Sequence, residues 1–226
     1  MLPGIANMML VGSGTSYELV YCGSLSGSKV SSVTGSIDIG SAHADREIFI
    51  VSYSGTTATL TAASTTVNSV AVTKATSEHT GTVGSLGYSF AIGFAAVPSG
   101  SGSVTVTATY SAGCTPKVAV YRVVGRPGKG NNETDSFSNT AASGTGVSLT
   151  GTTINAGGLW FGAYAVNSGS NIPTPPTGTS ADYDFSSGAV YVQINSRPIQ
   201  ANSTTPTDTW NSGTSTDMAA SSWAFA

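Results

Sequence analysis

The sequence predicts an all-β fold: an antiparallel β-sandwich, jelly-roll-like, preceded by an extended N-terminal arm. Three observations predict it. From Ser36 onward, short runs of β-branched and aromatic residues recur at close intervals with Gly, Ser, Asn or Pro between them, the pattern of strands joined by turns. No segment keeps apolar residues at helical spacing through three turns. Only 8% of the 226 residues are charged, against about a quarter in an ordinary soluble domain, so Ser and Thr hydroxyls must solvate the surface. The 39% of apolar residues is enough for a sizeable core.

Residues 1–30 differ from the rest. They hold three of the four methionines, several glycines and the short strand-forming run 17–22. They read as an arm that packs on another protein, with Leu2, Pro3, Ile5, Met8, Met9 and Leu10 as its anchoring side chains. The plainer reading is a frayed terminus with one added edge strand. Residues 31–226 read as a single sandwich domain. Two immunoglobulin-sized halves divided near residues 125–136 are the alternative. One core is preferred because strands apolar on both faces flank that break.

The strands follow in order. Residues 47–53 form a β-branched and aromatic run, residues 58–62 alternate, and residues 67–73 supply a further strand. Leu86, Tyr88, Phe90, Ile92 and Phe94 share one face, with small residues on the other. Residues 104–110 alternate Val or Ala with Thr, which suits a strand with one buried and one wetted face. Residues 118–124 and 158–166 are apolar on both faces and should be central strands. Residues 189–194 follow, and residues 222–226 are a last aromatic strand. Three polar connections separate these runs, at 125–136, 167–180 and 195–217. Loops of that length usually carry function or wrap a neighbour.

Motifs for catalysis are weak. The glycine-rich run 125–130 lacks the first glycine and the Ser or Thr of a phosphate loop, and Pro127 removes a donor, so it reads as a turn. His43 and His79 lie far from each other and from Cys22 and Cys114, giving no zinc spacing; His79 is expected in an exposed turn. No Gly-x-Ser-x-Gly elbow occurs. Asp182 and Asp184 form an i, i+2 pair expected to share a strand face, and Glu133 and Asp135 form a second pair in a loop. Both read as solvated acids rather than a glycosidase pair or a calcium loop. Trp210, among polar neighbours, is the one candidate for stacking on a sugar ring, or else it folds inward to cap a core. Trp160 and Trp223 alternate with apolar residues and belong to the core. No catalytic, cofactor-binding or metal-binding residues are assigned.

The bulk numbers narrow the partners. A formal charge of −3 and eight scattered Lys and Arg residues argue against nucleic acid. No window approaches the roughly 20 apolar residues that cross a bilayer as a helix. The N-terminal apolar stretch has no basic residue before it and is broken by Pro3-Gly4, so a secretory signal is not expected. Cys22 and Cys114 are then expected to be free thiols, although spacing alone leaves a disulfide open.

Several stretches together resemble structural proteins of tailed bacteriophages and prophages. They are Leu2-Pro3-Gly4-Ile5-Ala6, the run 44–53 in which Arg46 precedes an apolar strand, residues 91–100 with Val97-Pro98 followed by the alternating 104–107, residues 118–125, and the terminal 219–225. The resemblance implies a non-enzymatic virion β-sandwich protein, an outer head-decoration or an appendage subunit. It implies other virion proteins as partners through the arm, a homo-oligomer on a symmetric site, and a virion location after synthesis in the host cytoplasm. The alternative expectation is a carbohydrate-binding module or adhesin that meets a host-surface glycan through Trp210.

Overall fold

The computed structural model of the chain describes residues 17–126, 130, 133–168, 172–187, 189–197 and 204–226. Among these residues the regular structure is β-strand, apart from one 3-10 turn at Ala62–Ser64. The first half of the chain forms β1 (Glu18–Ser26), β2 (Val30–Asp38), β3 (Arg46–Ser54), β4 (Thr66–Val67), β5 (Val70–Ala71), β6 (Thr73–Lys74), β7 (His79–Val83), β8 (Leu86–Ala96), β9 (Ser103–Cys114) and β10 (Pro116–Val124). The second half forms β11 (Glu133–Thr150), β12 (Leu159–Val166), β13 (Ser180–Ser187), β14 (Val190–Arg197) and β15 (Thr207–Phe225). Every described strand pair is antiparallel. The all-β antiparallel sandwich expected from the sequence is therefore what the chain forms.

It is built of three sheets. The central sheet runs β1-β10-β3-β8-β6, with β7 also paired to β8. An outer sheet, β2-β9-β4-β5, covers one of its faces, and a C-terminal sheet, β11-β15-β12-β14-β13, covers the other. This explains why β3 and β10 are apolar on both faces: alternate side chains enter different cores. Ile48, Ile50, Val118 and Val120 pack with Ile37, Val104 and Val106 toward the outer sheet. Phe49, Val51, Tyr121 and Val123 pack with Phe161, Ile194, Trp223 and Phe225 toward the C-terminal sheet. Phe49 alone contacts three rings there, Phe94, Phe161 and Phe225, at 5.3–5.8 Å between centroids.

The C-terminal sheet carries a third core on its far face. Residues 133–141 of β11 pair with residues 218–225 of β15; the register then breaks, and residues 146–150 pair with residues 207–211. At the break both strands turn back over their own sheet. Asn139 donates its side-chain amide to the Ser148 carbonyl at 2.8 Å, and the Thr153 amide donates to Asp135 at 2.6 Å. Ser143 at φ 51° and Gly213 at φ 74° supply left-handed backbone at the bend. The folded-back ribbon lays Val147, Leu149 and Trp210 on Trp160, Tyr164 and Met218.

Several expectations change. Residues 18–26, expected to belong to an arm over residues 1–30, are instead a strand of the central sheet paired with β10. Tyr17 is itself in the core, with its hydroxyl donating to the Gly157 carbonyl. Residues 67–73 are not one strand. Asn68 and Ser69 take φ of 49° and 66°, the two-residue turn that joins a tight hairpin, here β4 and β5. The polar stretch 195–217 is no loop over its second half, since residues 207–217 belong to β15. Leu2, Pro3, Ile5, Met8, Met9 and Leu10 lie outside the described residues.

Candidate functional site

Most of the chemically loaded side chains lie at the junctions between layers. Arg46, 1% exposed at the start of β3, donates to five backbone carbonyls. These are Val97 at 2.8 Å, Gly40 at 3.0 Å, Ser41 at 2.6 Å, and Ser99 and Gly100 at 2.7 Å each. It ties the two loops that lead into β3 and out of β8 to one guanidinium. Arg126, also buried, grips Glu47 through Nε at 2.9 Å and Nη2 at 3.2 Å, and donates to the Ala226 and Gly130 carbonyls. The glycine-rich run 125–130 thus docks its arginine on an acid of the same chain. Lys129 lies outside the described residues.

Trp210 is fully buried. Its indole is nearly parallel to the rings of Tyr164, 6.0 Å away, and Trp160, 6.4 Å away, and its N–H donates to Asn195 at 3.0 Å. Arg197 lies 5.0 Å over the Trp160 ring and pairs with Asp208. The expectation that Trp210 stacks on a sugar is corrected: both ring faces are covered by the folded-back ribbon and its sheet. Its polar sequence neighbours misled because Asp208 and Ser212, which share its inward face, are themselves buried and paired inside the protein.

Asp182 and Asp184 do not share a face. A bulge between Ala181 and Tyr183 breaks the register of β13 with β14, so the two carboxylates part. Asp182 turns to the central sheet and accepts from the Tyr121 hydroxyl at 3.0 Å and Ser196 at 2.6 Å. Asp184 points the other way and accepts from Gln193 at 2.9 Å. Burial pushes the Asp182 carboxyl up to about 6, only partly opposed by the Ser196 and Tyr121 hydrogen bonds. On the same seam Lys117 is buried with its ammonium 3.1 Å from the centre of the Phe185 ring, and burial pushes it down to about 8. Two carboxylates on opposite sides of one sheet cannot flank a glycosidic bond.

His79 is not in an exposed turn. It lies in β7, half-buried, with its ring 5.8 Å from Trp223, and burial lowers its basicity despite nearby Glu133 and Glu78. Glu133 accepts from the Ser77 amide at 3.1 Å, while Asp135 accepts from Ser136 and Thr153. That second acid pair is therefore spent on backbone amides. Cys22 and Cys114 are both free, and burial raises each thiol to about 11. Among the described residues no three His, Cys, Asp or Glu side chains gather to hold a metal ion. No helix among them is long and apolar enough to cross a membrane.

The remaining feature is a surface. The outward face of the outer sheet presents Ser32, Thr34 and Ser36 on β2 beside Thr109, Thr107 and Thr105 on β9. Cross-strand hydroxyl pairs link Thr34 to Thr107 at 3.0 Å and Ser32 to Thr109 at 3.4 Å. The alternation of Val and Thr in residues 104–110 made half of this face legible; β2, whose one buried side chain is the inward Ile37, was not.

The fold and these seams define a class, a layered antiparallel β-sandwich whose buried charges act as ties between strands. Comparison with known protein families, characterised proteins and solved structures finds no match to the chain.

Proposed function

We propose that this chain is a non-enzymatic structural subunit of a tailed-phage or prophage virion, an outer head-decoration or appendage protein. The observation that carries the proposal is the use of charge. Of its few ionic side chains, Arg46, Arg126, Glu47, Arg197 and Asp208 are buried and bound to partners within the chain, while β2 and β9 turn uncharged hydroxyls outward. Three stacked sheets with long-range ties suit a part exposed on a particle, which has to withstand proteolysis. The sequence resemblance supports the same class. Its partners are other virion proteins, met through residues before Tyr17, and other copies of itself.

The decisive experiment is to purify particles from the cells that carry the gene and digest them for mass spectrometry. This chain is expected at a fixed stoichiometry to the major capsid or tail protein, with antibody label on the particle exterior. Intact, infectious particles that lack it overturn the proposal.

A further inference from the structure

We propose that the open edge of β2 is a self-recognition surface. Two copies of the chain would pair there, antiparallel, about a two-fold axis through Thr34, and so join two outer sheets into one. The pairing adds a defined contact to the reading above and stands separately from it.

An edge strand offers alternate N–H and C=O groups to whatever can pair with them. Among the described strands β2 bonds only to β9, so no described strand pairs with its other side. The other described edges are shorter or carry features that discourage pairing. β1 and β13 are bulged, at Tyr21/Gly23 and Ala181/Tyr183. β11 folds back on itself, and β5 and β6 are two residues long. β2 is different. Its register with β9 shifts once, between Val30 and Ser32, where the extra residues belong to β9; from Ser32 to Asp38 it runs unbroken against Thr109 to Ser103, and no Pro, Lys or Arg interrupts residues 30–38.

The edge is also complementary to itself. With Thr34 on the axis, Ser32 of each copy faces Ser36 of the other, and the two Thr34 side chains face one another. These are the hydroxyl pairings that β2 already makes with β9, as in Thr34 with Thr107. Half-buried Val33 falls opposite Gly35, over which Leu25 of the same chain lies, so it meets an apolar side chain there. At each end Asp38 falls opposite Val30 of the second copy, next to Lys29. Both charged side chains are exposed, so opposite charges meet diagonally at both ends and like charges meet nowhere. A two-fold contact of this kind closes on itself, giving a dimer rather than a fibre.

Sedimentation equilibrium of the full chain at micromolar concentration and low salt should show a monomer–dimer equilibrium. Thr34→Lys sets two ammonium groups face to face on the axis and should weaken the dimer at least about tenfold. Thr107→Lys, on the same hydroxyl face but one strand inward, should leave it unchanged. Lys29→Asp should weaken it, and adding Asp38→Lys to that variant should restore it. Circular dichroism of each variant checks that the monomer still folds. A monomeric wild type overturns the proposal, as does a dimer that Thr34→Lys does not weaken. A third overturning result is a monomer whose β2 amides resist hydrogen exchange until residues 1–16 are deleted, since the chain's own N-terminal segment would then hold the edge. The purified chain is tested alone, so a monomer leaves the virion assignment standing, and absence from particles leaves the dimer standing.

Discussion

The Asp182 carboxyl sits where one inserted residue turns it toward Tyr121 and Ser196. Burial raises it to about 6 from 3.8, so the folded chain holds this proton more tightly than the unfolded one. Its favourable contribution to folding is complete below pH 4 and is lost as pH rises through 6. Asp182→Asn keeps an acceptor for both hydroxyls and removes the titration. Each tenfold gain in proton affinity corresponds to about 1.4 kcal/mol, and a partly wetted carboxyl realises only a fraction of it. The variant should therefore gain about 1–2 kcal/mol over wild type at pH 7.5 and little at pH 4, read as the difference between their urea midpoints. An equal difference at both pH values would show that the carboxyl is not held in this way. The sequence showed two acids two residues apart, but not that a bulge would separate them. Arg46 was equally opaque: it precedes an apolar strand, and all five of its carbonyl partners are backbone atoms in the loops before β3 and after β8, which no side-chain pattern marks as acceptors.

At the scale of elements, legibility followed hydropathy. β3, β8, β9, β10, β12 and β14 could be read because their apolar residues recur with period two or fill both faces. β11 and the first half of β15 could not. Their inward residues include Asp208 and Ser212, whose burial depends on partners such as Arg197 and the Thr145 carbonyl. Trp210 is the side chain that fastens this ribbon to the sheet beneath it. Trp210→Ala removes the stack on Trp160 and Tyr164 and leaves Asn195 without its donor. It should cost about 3–5 kcal/mol, with hydrogen exchange accelerated first in residues 146–150 and 207–211. Uniform acceleration throughout the chain would mean that the ribbon is not a separate fastening. The same burial removes the sugar-stacking role expected of this residue.

Across the whole molecule, the central sheet has no free face. It depends on the outer sheet for one core and the C-terminal sheet for the other, and the Arg126–Glu47 pair links the start of β3 to the segment after β10. Breaking a buried pair of this kind costs about 3–5 kcal/mol. The shared core predicts that the halves on either side of residues 125–136 behave as one cooperative unit rather than as two immunoglobulin-like ones. Heat or denaturant should unfold the chain in one transition, with intrinsic fluorescence and far-ultraviolet circular dichroism coinciding. Two separated transitions would show that the C-terminal sheet melts alone.

β15 lies inside the C-terminal sheet, between β11 and β12, although it follows both in sequence. During synthesis, then, that sheet cannot close until residue 225 has left the ribosome, and until that moment Phe49 waits for a ring 176 positions downstream. Contacts this remote in sequence make folding slow, and the aromatic face of the nascent first half stays bare throughout the wait. Newly made chains would therefore expose aromatic surface that the finished fold hides.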